Sequence, residues 1–305
     1  MRYYLKLIRW PNLVMTVLAL WVHWYYLIYL SLDAHQTTGR MDHFGILLLG
    51  LAFSLVMGAG YVINDIFDLD IDAINKEKSQ ILINHISMQS AKIFYWILNS
   101  AAAIISLYIA IVYDQSKYLF LLPVAAGLLY FYSSSLKKKG LIGNIVIAVL
   151  CGAVLLLPLW FDEKQLQHIN FEFYSSIRIR FIICFTVAAL LTLIREIIKD
   201  QEDESGDRAG HASTLPIIWG SRNTDVFVTS MMGICLMVII FSFQFVNTKS
   251  FISLCLLFSV GTAIFSLLVL QVFKVNQSSY TQRSRYLKFV MVLGMICLPI
   301  ALKII

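Results

Sequence analysis

Two short windows of the sequence concentrate its acidic side chains. Eleven of the 18 Asp and Glu residues lie within positions 64–77 and 195–208. In the first window Asp65, Asp68 and Asp72 have the spacing i, i+3, i+7, which predicts one face of a helix. In the second window the spacing i, i+4, i+7, i+11 also predicts one helical face, with a last turn weakened by Gly206. Its members are Glu196, Asp200, Asp203 and Asp207.

Carboxylates in this pattern suit a hard divalent cation. Mg²⁺ is usually held by one or two carboxylates together with substrate phosphates and water. Basic side chains close to both windows could balance a diphosphate that the metal bridges. These are Lys76, Lys78, Lys137, Arg195 and Lys199. One acidic window alone is typical of a solvated loop, but two one-faced stripes flanked by cations favour a site for Mg²⁺ and a diphosphate.

The elements that carry these windows are predicted to be membrane helices. The 305 residues are 59% hydrophobic and 14% charged, with a mean hydropathy of +0.76. This excludes most soluble enzyme folds, disordered chains and disulfide scaffolds. The five cysteines lie in apolar runs without CxxC spacing, so no redox or zinc site is expected.

Nine continuous apolar runs approach the length of about 20 residues needed to cross a bilayer in a helix. They predict one all-α integral membrane domain over residues 1–305. The runs cover 13–32, 44–63, 93–113, 117–133, 142–160, 181–198, 226–246, 251–273 and 287–304.

The basic residues set the expected orientation. Seventeen Lys and Arg residues fall on the side of the N-terminus and seven on the other side. The positive-inside rule therefore places the N-terminus and both acidic windows in the cytoplasm, with the plasma (inner) membrane as the expected location. The net charge of +6 is then a topological signal, and no nucleic-acid partner is expected.

The two acidic windows resemble the paired motifs of the UbiA family of membrane-intrinsic prenyltransferases. NDIFDLDID is similar to its NDxxDxxxD motif, and DESGD at 203–207 is similar to its second, DxxxD motif. The strings LIRWPN and YFYSSSLKKKGLIGNIVIA and the Thr-Leu-Pro after the second motif also resemble the family. The wording EDESGD is nearest to the branch that prenylates geranylgeranylglycerol phosphate.

This resemblance implies nine helices around a central cavity and Mg²⁺-dependent transfer of a prenyl group from an allylic diphosphate to a lipid-soluble acceptor. The acceptor would be geranylgeranylglycerol phosphate or an aromatic or quinone precursor. The resemblance implies catalytic and metal-binding roles for Asp65, Asp68, Asp72, Asp203 and Asp207. The expected substrate-binding residues are Asn12, Asn64, Lys76, Lys78, Tyr132, Lys137, Asn144, Arg195, Lys199 and Asp200.

Two departures from the family pattern stand out. The family usually has a Pro-x-Arg-Pro element after the first motif, where this chain has Glu77-Lys78-Ser79-Gln80. One more residue than usual separates Tyr132 from Lys137. A non-catalytic relative that binds prenyl diphosphates and an ion-coupled transporter therefore stay open as alternatives. The order of acidic and basic loops also suggests a duplicated four-helix unit followed by one further helix.

Overall fold

The computed structural model describes residues 1–69, 81–82, 84–137, 139–247, 249–272 and 279–304. This part of the chain is helical apart from turns and one isolated bridge between Leu82 and Ile86. Its helices are α1 (Arg2–Leu7), α2 (Trp10–Ala34), α3 (His43–Phe67), α4 (Met88–Val112), α5 (Tyr118–Leu136), α6 (Leu141–Ile169), α7 (Phe171–Glu202), α8 (Glu204–Ala209), α9 (Leu215–Phe245), α10 (Phe251–Val272) and α11 (Ser279–Ala301).

Nine of the helices in the described part are long and apolar enough to cross a membrane. They coincide in order with the nine apolar runs, so the prediction of an all-α integral membrane fold is confirmed. The two short helices α1 and α8 are the exceptions. Helix α8 follows Asp203 directly and contains Asp207, two of the residues that the sequence singled out for chemistry.

The chain divides into two compact units, and the first comprises Met1–Leu18, His43–Val146 and Asp203–Ile218. In this unit α3 packs against α4 and α5. Gly50 allows close approach to the beginning of α2, because a Cβ placed there would lie 3.1 Å from the Cα of Val17. Arg9, with φ 51°, separates α1 from α2. Buried Leu7 then anchors α1 in an apolar cluster with Val62 of α3 and other side chains.

The second unit comprises Ala19–Asp42, Ile147–Glu202 and Trp219–Ile305. Here α11 packs against α7 and α10. A buried polar network crosses these helices: Asp225 Oδ1 accepts hydrogen bonds from Nε2 of Gln201 (3.0 Å) and of Gln271 (3.1 Å). Arg283 in turn donates to Oε1 of Gln271 at 2.8 Å. Four helices are therefore joined by polar side chains, not by apolar packing alone.

Helices α6 and α7 extend well beyond the apolar runs that predicted them. The helical segments contain 29 and 32 residues, or about 43 and 48 Å at 1.5 Å per residue, against about 30 Å of hydrocarbon. They meet at Asn170, and Tyr174 donates a hydrogen bond to Glu163 at 2.8 Å. Nearby, the buried carboxylate of Asp162 accepts a hydrogen bond from the backbone N–H of Arg40.

Candidate functional site

The first acidic motif lies at the end of α3. The helix ends at Phe67, and the backbone N–H of Asp68 still donates to the carbonyl of Asn64 at 2.9 Å. Asp65 and Asp68 are therefore one turn apart, as the spacing predicts. The third carboxylate of this stripe, Asp72, lies outside the described residues, as do Lys76 and Lys78.

Asp65 has a cationic partner from the beginning of the chain. An Nη of Arg9 lies 3.0 Å from its Oδ1, and the Arg9 guanidinium stands 4.4 Å above the centre of the Tyr61 ring. The hydroxyl of Tyr61 accepts a hydrogen bond from Asn12 at 2.9 Å. The sequence singled out Asn12 and Asp65 for the site, but used Arg9 only to predict topology.

Asp68 is more deeply placed, with 4% of its surface exposed. Its Oδ2 accepts a hydrogen bond from Nδ2 of Asn64 at 2.7 Å and is also paired with Nζ of Lys137. The charge of this buried carboxylate is thus balanced by a residue from another helix.

Lys137 follows a π-helical turn that covers Tyr132–Leu136. Its backbone N–H donates to the carbonyl of Tyr132 at 2.9 Å, an i+5 bond. A π-turn contains one residue more than an α-turn. This turn therefore absorbs the extra residue between Tyr132 and Lys137 that the sequence showed. Tyr132, at the beginning of this turn, is buried, and so is Asn144, seven residues after Lys137.

The second acidic motif differs from its prediction as a single helical stripe. Helix α7 ends at Glu202, Asp203 has φ −94° and ψ 8°, and a separate short helix α8 begins at Glu204. The expectation that Glu196, Asp200, Asp203 and Asp207 share one continuous helical face is wrong. The physical reason is local: the consecutive acidic residues Glu202, Asp203 and Glu204 repel one another and offer no apolar face to pack, and the helix is interrupted at Asp203 before α8 begins.

The break keeps Asp203 and Asp207 together, because the N–H of Asp207 donates to the carbonyl of Asp203 at 3.1 Å. Asp207 is itself buried. Its pKa is raised to about 6, mainly by burial and then by the negative charges of Asp203 and Asp68, against the opposing effects of Lys137 and Thr214. The structure thus brings together both acidic motifs and Lys137 within the first unit.

A glycine contact holds the two loops of this cluster against each other. Gly140 has φ +58°, and a Cβ there would lie 2.7 Å from the carbonyl oxygen of Ser213. Gly140 follows the lysine cluster that contains Lys137, and Ser213 precedes Thr214, which influences Asp207. The close approach of these two backbones therefore places Lys137 beside the second motif. Sequence reasoning missed Arg9 and Thr214 as site residues, although both lie in strings that resembled the family.

The remaining predicted residues lie on α7 in the second unit. Arg195 donates to Oε1 of Glu196 at 2.6 Å, and Lys199 donates to its Oε2 at 3.3 Å. The two cations expected to balance a diphosphate thus share one carboxylate. Asp200 is half-buried on the same helix.

The carboxylate oxygens of this cluster suit a hard cation that is also bound by ligands from outside the protein. Among the described residues, no group of three or more His, Cys, Asp or Glu side chains could hold a metal ion by itself. Asp68, Asp203 and Asp207 supply only carboxylate oxygens, and the mutual repulsion that raises the pKa of Asp207 would be relieved by a cation. Mg²⁺ with a phosphate and water is compatible with such a set.

Residues 29–293 match the UbiA prenyltransferase family. The chain belongs to this family. The resemblance stated from the two acidic motifs is thus confirmed, and with it the prediction that the protein is a membrane prenyltransferase. The family assignment also removes the ion-coupled transporter from the alternatives.

The names of similar proteins match the family branch that the string EDESGD resembled. The chain is 35% identical to the digeranylgeranylglyceryl phosphate synthase of Methanothermobacter thermautotrophicus over 75% of its length and 71% of the relative. It is 30% identical to the enzyme of the same name from Methanobrevibacter smithii, over 97% of this chain and 96% of the other.

Solved structures share the fold. One, concerned with digeranylgeranylglyceryl phosphate synthase in membranes, has a TM-score of 0.65 at 24% identity and covers 99% of both chains. A UbiA homolog from Archaeoglobus fulgidus, bound to DMAPP and Mg²⁺, has a TM-score of 0.58 at 15% identity and also covers 99% of both chains.

Proposed function

We propose that this prenyltransferase uses Mg²⁺ to transfer a prenyl group from an allylic diphosphate to geranylgeranylglycerol phosphate. The observation that carries the proposal is the clustering of Asp68 from the first motif with Asp203, Asp207 and Lys137. The names of the relatives support the acceptor, and the Mg²⁺ and DMAPP of the Archaeoglobus fulgidus protein support the cofactor and the class of donor.

In this proposal the acids of both motifs hold the metal, and the basic residues hold the diphosphate. The metal ligands are Asp65, Asp68, Asp72, Asp203 and Asp207. When bound, Mg²⁺ would neutralise the diphosphate as a leaving group. Lys137, whose ammonium group pairs with Asp68, would donate to a phosphate oxygen.

The remaining expected substrate contacts form three groups, and Lys76 and Lys78 among them lie outside the described residues. Asn64 donates to Asp68 and so orients a carboxylate of the first motif, whereas Asn12 donates to Tyr61, whose ring lies under the Arg9 partner of Asp65. Arg195, Lys199 and Asp200 lie on α7. In the proposal, Arg195 and Lys199 give up their hydrogen bonds to Glu196 and donate to phosphate oxygens instead. Tyr132 and Asn144 are buried, and Lys76 and Lys78 complete the set as cations that follow the first motif.

The reaction breaks the allylic C–O bond, and its electron pair leaves with the diphosphate. The acceptor hydroxyl oxygen then forms a C–O bond to the allylic carbon, and its proton passes to the released diphosphate. Positive charge on the allylic carbon requires the exclusion of water, because water would compete with the acceptor. The proposal places this chemistry where acidic loops meet apolar spanning helices.

A turnover assay tests the function. Purified protein in nanodiscs would be given radiolabelled geranylgeranyl diphosphate, Mg²⁺ and, in turn, geranylgeranylglycerol phosphate, a prenylatable aromatic acid and a naphthoate. We expect labelled product from the first acceptor and none after addition of EDTA. Labelled donor bound with Mg²⁺ but unconverted with every acceptor would identify a non-catalytic relative, the alternative raised by the missing Pro-x-Arg-Pro element.

We also propose that both acidic motifs face the cytoplasm across the plasma (inner) membrane. The excess of 17 over 7 basic residues on that side supports this orientation. Single cysteines at exposed positions 139 and 170, in a background without native cysteines, would be labelled with an impermeant maleimide. In intact cells only Asn170→Cys should react, and reaction of Lys139→Cys instead would reverse the orientation.

A further inference from the structure

An apolar groove runs along the outside of the first unit, between α1 and α4. Near α1 it is lined by Tyr4, Leu5 and Phe94, and Tyr4 and Phe94 meet edge to face at 4.9 Å. It continues along α4 past Ile97 to Ile104. Because Ile93 and Ile97 line both parts, the groove is continuous.

The dimensions of the groove suit one hydrocarbon chain. From Ser90 to Ile104 the helix rises about 21 Å, at 1.5 Å per residue. One leaflet of a bilayer contributes about 15 Å of hydrocarbon, half of the whole core. The groove is therefore long enough to hold an acyl chain from the headgroup region to the middle of the membrane.

Three basic residues are direct sequence neighbours of residues that line the groove near α1. Arg2 and Lys6 of α1 and Lys92 of α4 are exposed, and they make no ion pair in the described part of the chain. The sequence has no acidic residue within 1–32 or within 81–113. The positive charge at this end is therefore uncompensated by its own segments, and it favours an anionic headgroup.

Helix α1 has the features of a segment that lies in the membrane interface. It is separated from α2 by the left-handed conformation of Arg9. Leu7 is buried in the apolar cluster, whereas Arg2 and Lys6 face outward. Such amphipathic segments bind where apolar side chains enter the acyl region and basic side chains meet headgroups.

We propose that this groove binds an anionic phospholipid, with one acyl chain between α1 and α4 and the phosphate at Arg2, Lys6 and Lys92. The site is separate from the acidic cluster and does not depend on the proposed reaction. Zwitterionic lipids would fill the apolar part but gain less from the three cations, because their own ammonium group offsets the charge of the phosphate. Selectivity for anionic lipid is therefore the property to measure.

The charge test compares two triple variants in nanodiscs that contain phosphatidylglycerol and phosphatidylcholine. Arg2→Gln/Lys6→Gln/Lys92→Gln should lose the preference for phosphatidylglycerol, by about fivefold for each charge removed. The matched control removes three exposed lysines from the predicted opposite membrane side: Lys117→Gln/Lys164→Gln/Lys249→Gln. Retained lipids would be counted by native mass spectrometry. Equal retention by wild type and both variants would overturn the proposal.

The groove test leaves the charges in place. Ala101→Phe would fill the groove beside Ile97, whereas Ala103→Phe adds the same ring to an exposed position of the same helix. We expect fewer immobilised spin-labelled phosphatidylglycerol chains only for Ala101→Phe, with unchanged thermal unfolding in both. If Ala101→Phe instead converts a dimer to a monomer, the groove is a subunit interface and the lipid proposal fails. Displacement of the lipid by millimolar inorganic phosphate would show that the cations form a free-phosphate site, and would also overturn it.

Discussion

The ammonium group of Lys137 is paired with the carboxylate of Asp68, 69 positions earlier in the chain. The pair joins the end of α3 to the π-helical end of α5. In the proposed reaction both groups acquire new partners, the carboxylate a metal ion and the ammonium group a phosphate oxygen. The ion pair is therefore a resting arrangement that keeps a buried charge compensated until the substrate arrives.

Replacement of one acid from each motif should abolish turnover. We expect Asp68→Asn and Asp203→Asn each to lower kcat at least about 100-fold, as loss of a main electrostatic contact at a reacting centre does. The amide keeps the shape but loses the charge that Mg²⁺ requires. Stability should hold or rise slightly for Asp203→Asn, because a like charge near Asp207 is removed. For Asp68→Asn this gain is offset by loss of the ion pair with Lys137. Product formation and thermal unfolding would be measured in parallel.

The control for these variants is Glu204→Gln, next to Asp203 in the chain. The carboxylate of Glu204 is paired with Arg208 at 2.9 Å, on the exposed side of α8. Its loss should leave kcat within twofold of wild type. Equal damage from Glu204→Gln and Asp203→Asn would show that the cluster tolerates no change of charge, and would remove the argument for specific metal ligands.

Loss of the Lys137 cation should weaken donor binding. Lys137→Met removes a charge-assisted hydrogen bond of about 1.5–3 kcal/mol, so the KM for the donor should rise about 10- to 100-fold. Lys139→Met is the matched control, because Lys139 is exposed and two residues away. Kinetics at saturating Mg²⁺ would separate KM from kcat. A fall in kcat at unchanged KM would contradict a role in donor binding.

The affinity for Mg²⁺ should depend on pH through Asp207. The folded-state pKa of this group is raised from 3.8 to about 6. Its contribution to the stability of the metal-free protein is therefore complete below pH 3.8 and lost as the pH rises through about 6. Mg²⁺ binds the ionised form, so its affinity should increase from pH 5 to pH 7.

The pH prediction can be checked by the thermal shift that Mg²⁺ produces in the presence of a non-reactive diphosphate. Asp207→Asn should bind more weakly and lose most of the pH dependence between pH 5 and 7. The same dependence in wild type and Asp207→Asn would assign the titration to a different group.

Substitution of Gly140 should disturb both the fold and the site. Alanine at φ +58° costs about 1–2 kcal/mol, and its Cβ would meet the Ser213 carbonyl oxygen at 2.7 Å. We expect Gly140→Ala to lower the unfolding temperature and to raise the KM for the donor, since Lys137 is displaced. Gly233→Ala is the control: nothing lies within 4 Å of its Cβ position, and the change should stabilise the helix slightly. Equal thermal shifts in both variants would argue against a special role for the Gly140 contact.

The spanning helices could be predicted from hydropathy because lipid demands long apolar runs with internal hydrogen bonds. Their ends could not. The run at 181–198 became a helix over Phe171–Glu202, because outside the hydrocarbon polar residues such as Glu172 continue a helix as readily as they form a loop. Apolar composition therefore predicts which residues lie in the membrane, but not where the helix begins and ends.

The acidic motifs were found from spacing, but their partners were not. Arg9 and Asp65 are 56 positions apart, and only tertiary packing brings such groups together. The same holds for the buried network of Asp225, Gln271 and Arg283, which lies in helices that the sequence described only as apolar. Gly206 predicted a weakened last turn, but the structure keeps Gly206 within α8 and interrupts the helix at Asp203, three residues earlier.

The overlong helices α6 and α7 have a practical consequence for imaging this small membrane protein. Their turn at Asn170 is stiffened by the hydrogen bond from Tyr174 to Glu163. The lengths of the two helices lead us to expect this turn beyond the hydrocarbon. A rigid fusion domain inserted at this turn would continue two helices at once and so stand at a fixed angle to the bundle. It would serve as a fiducial marker for electron cryomicroscopy on the face opposite to the predicted cytoplasmic site.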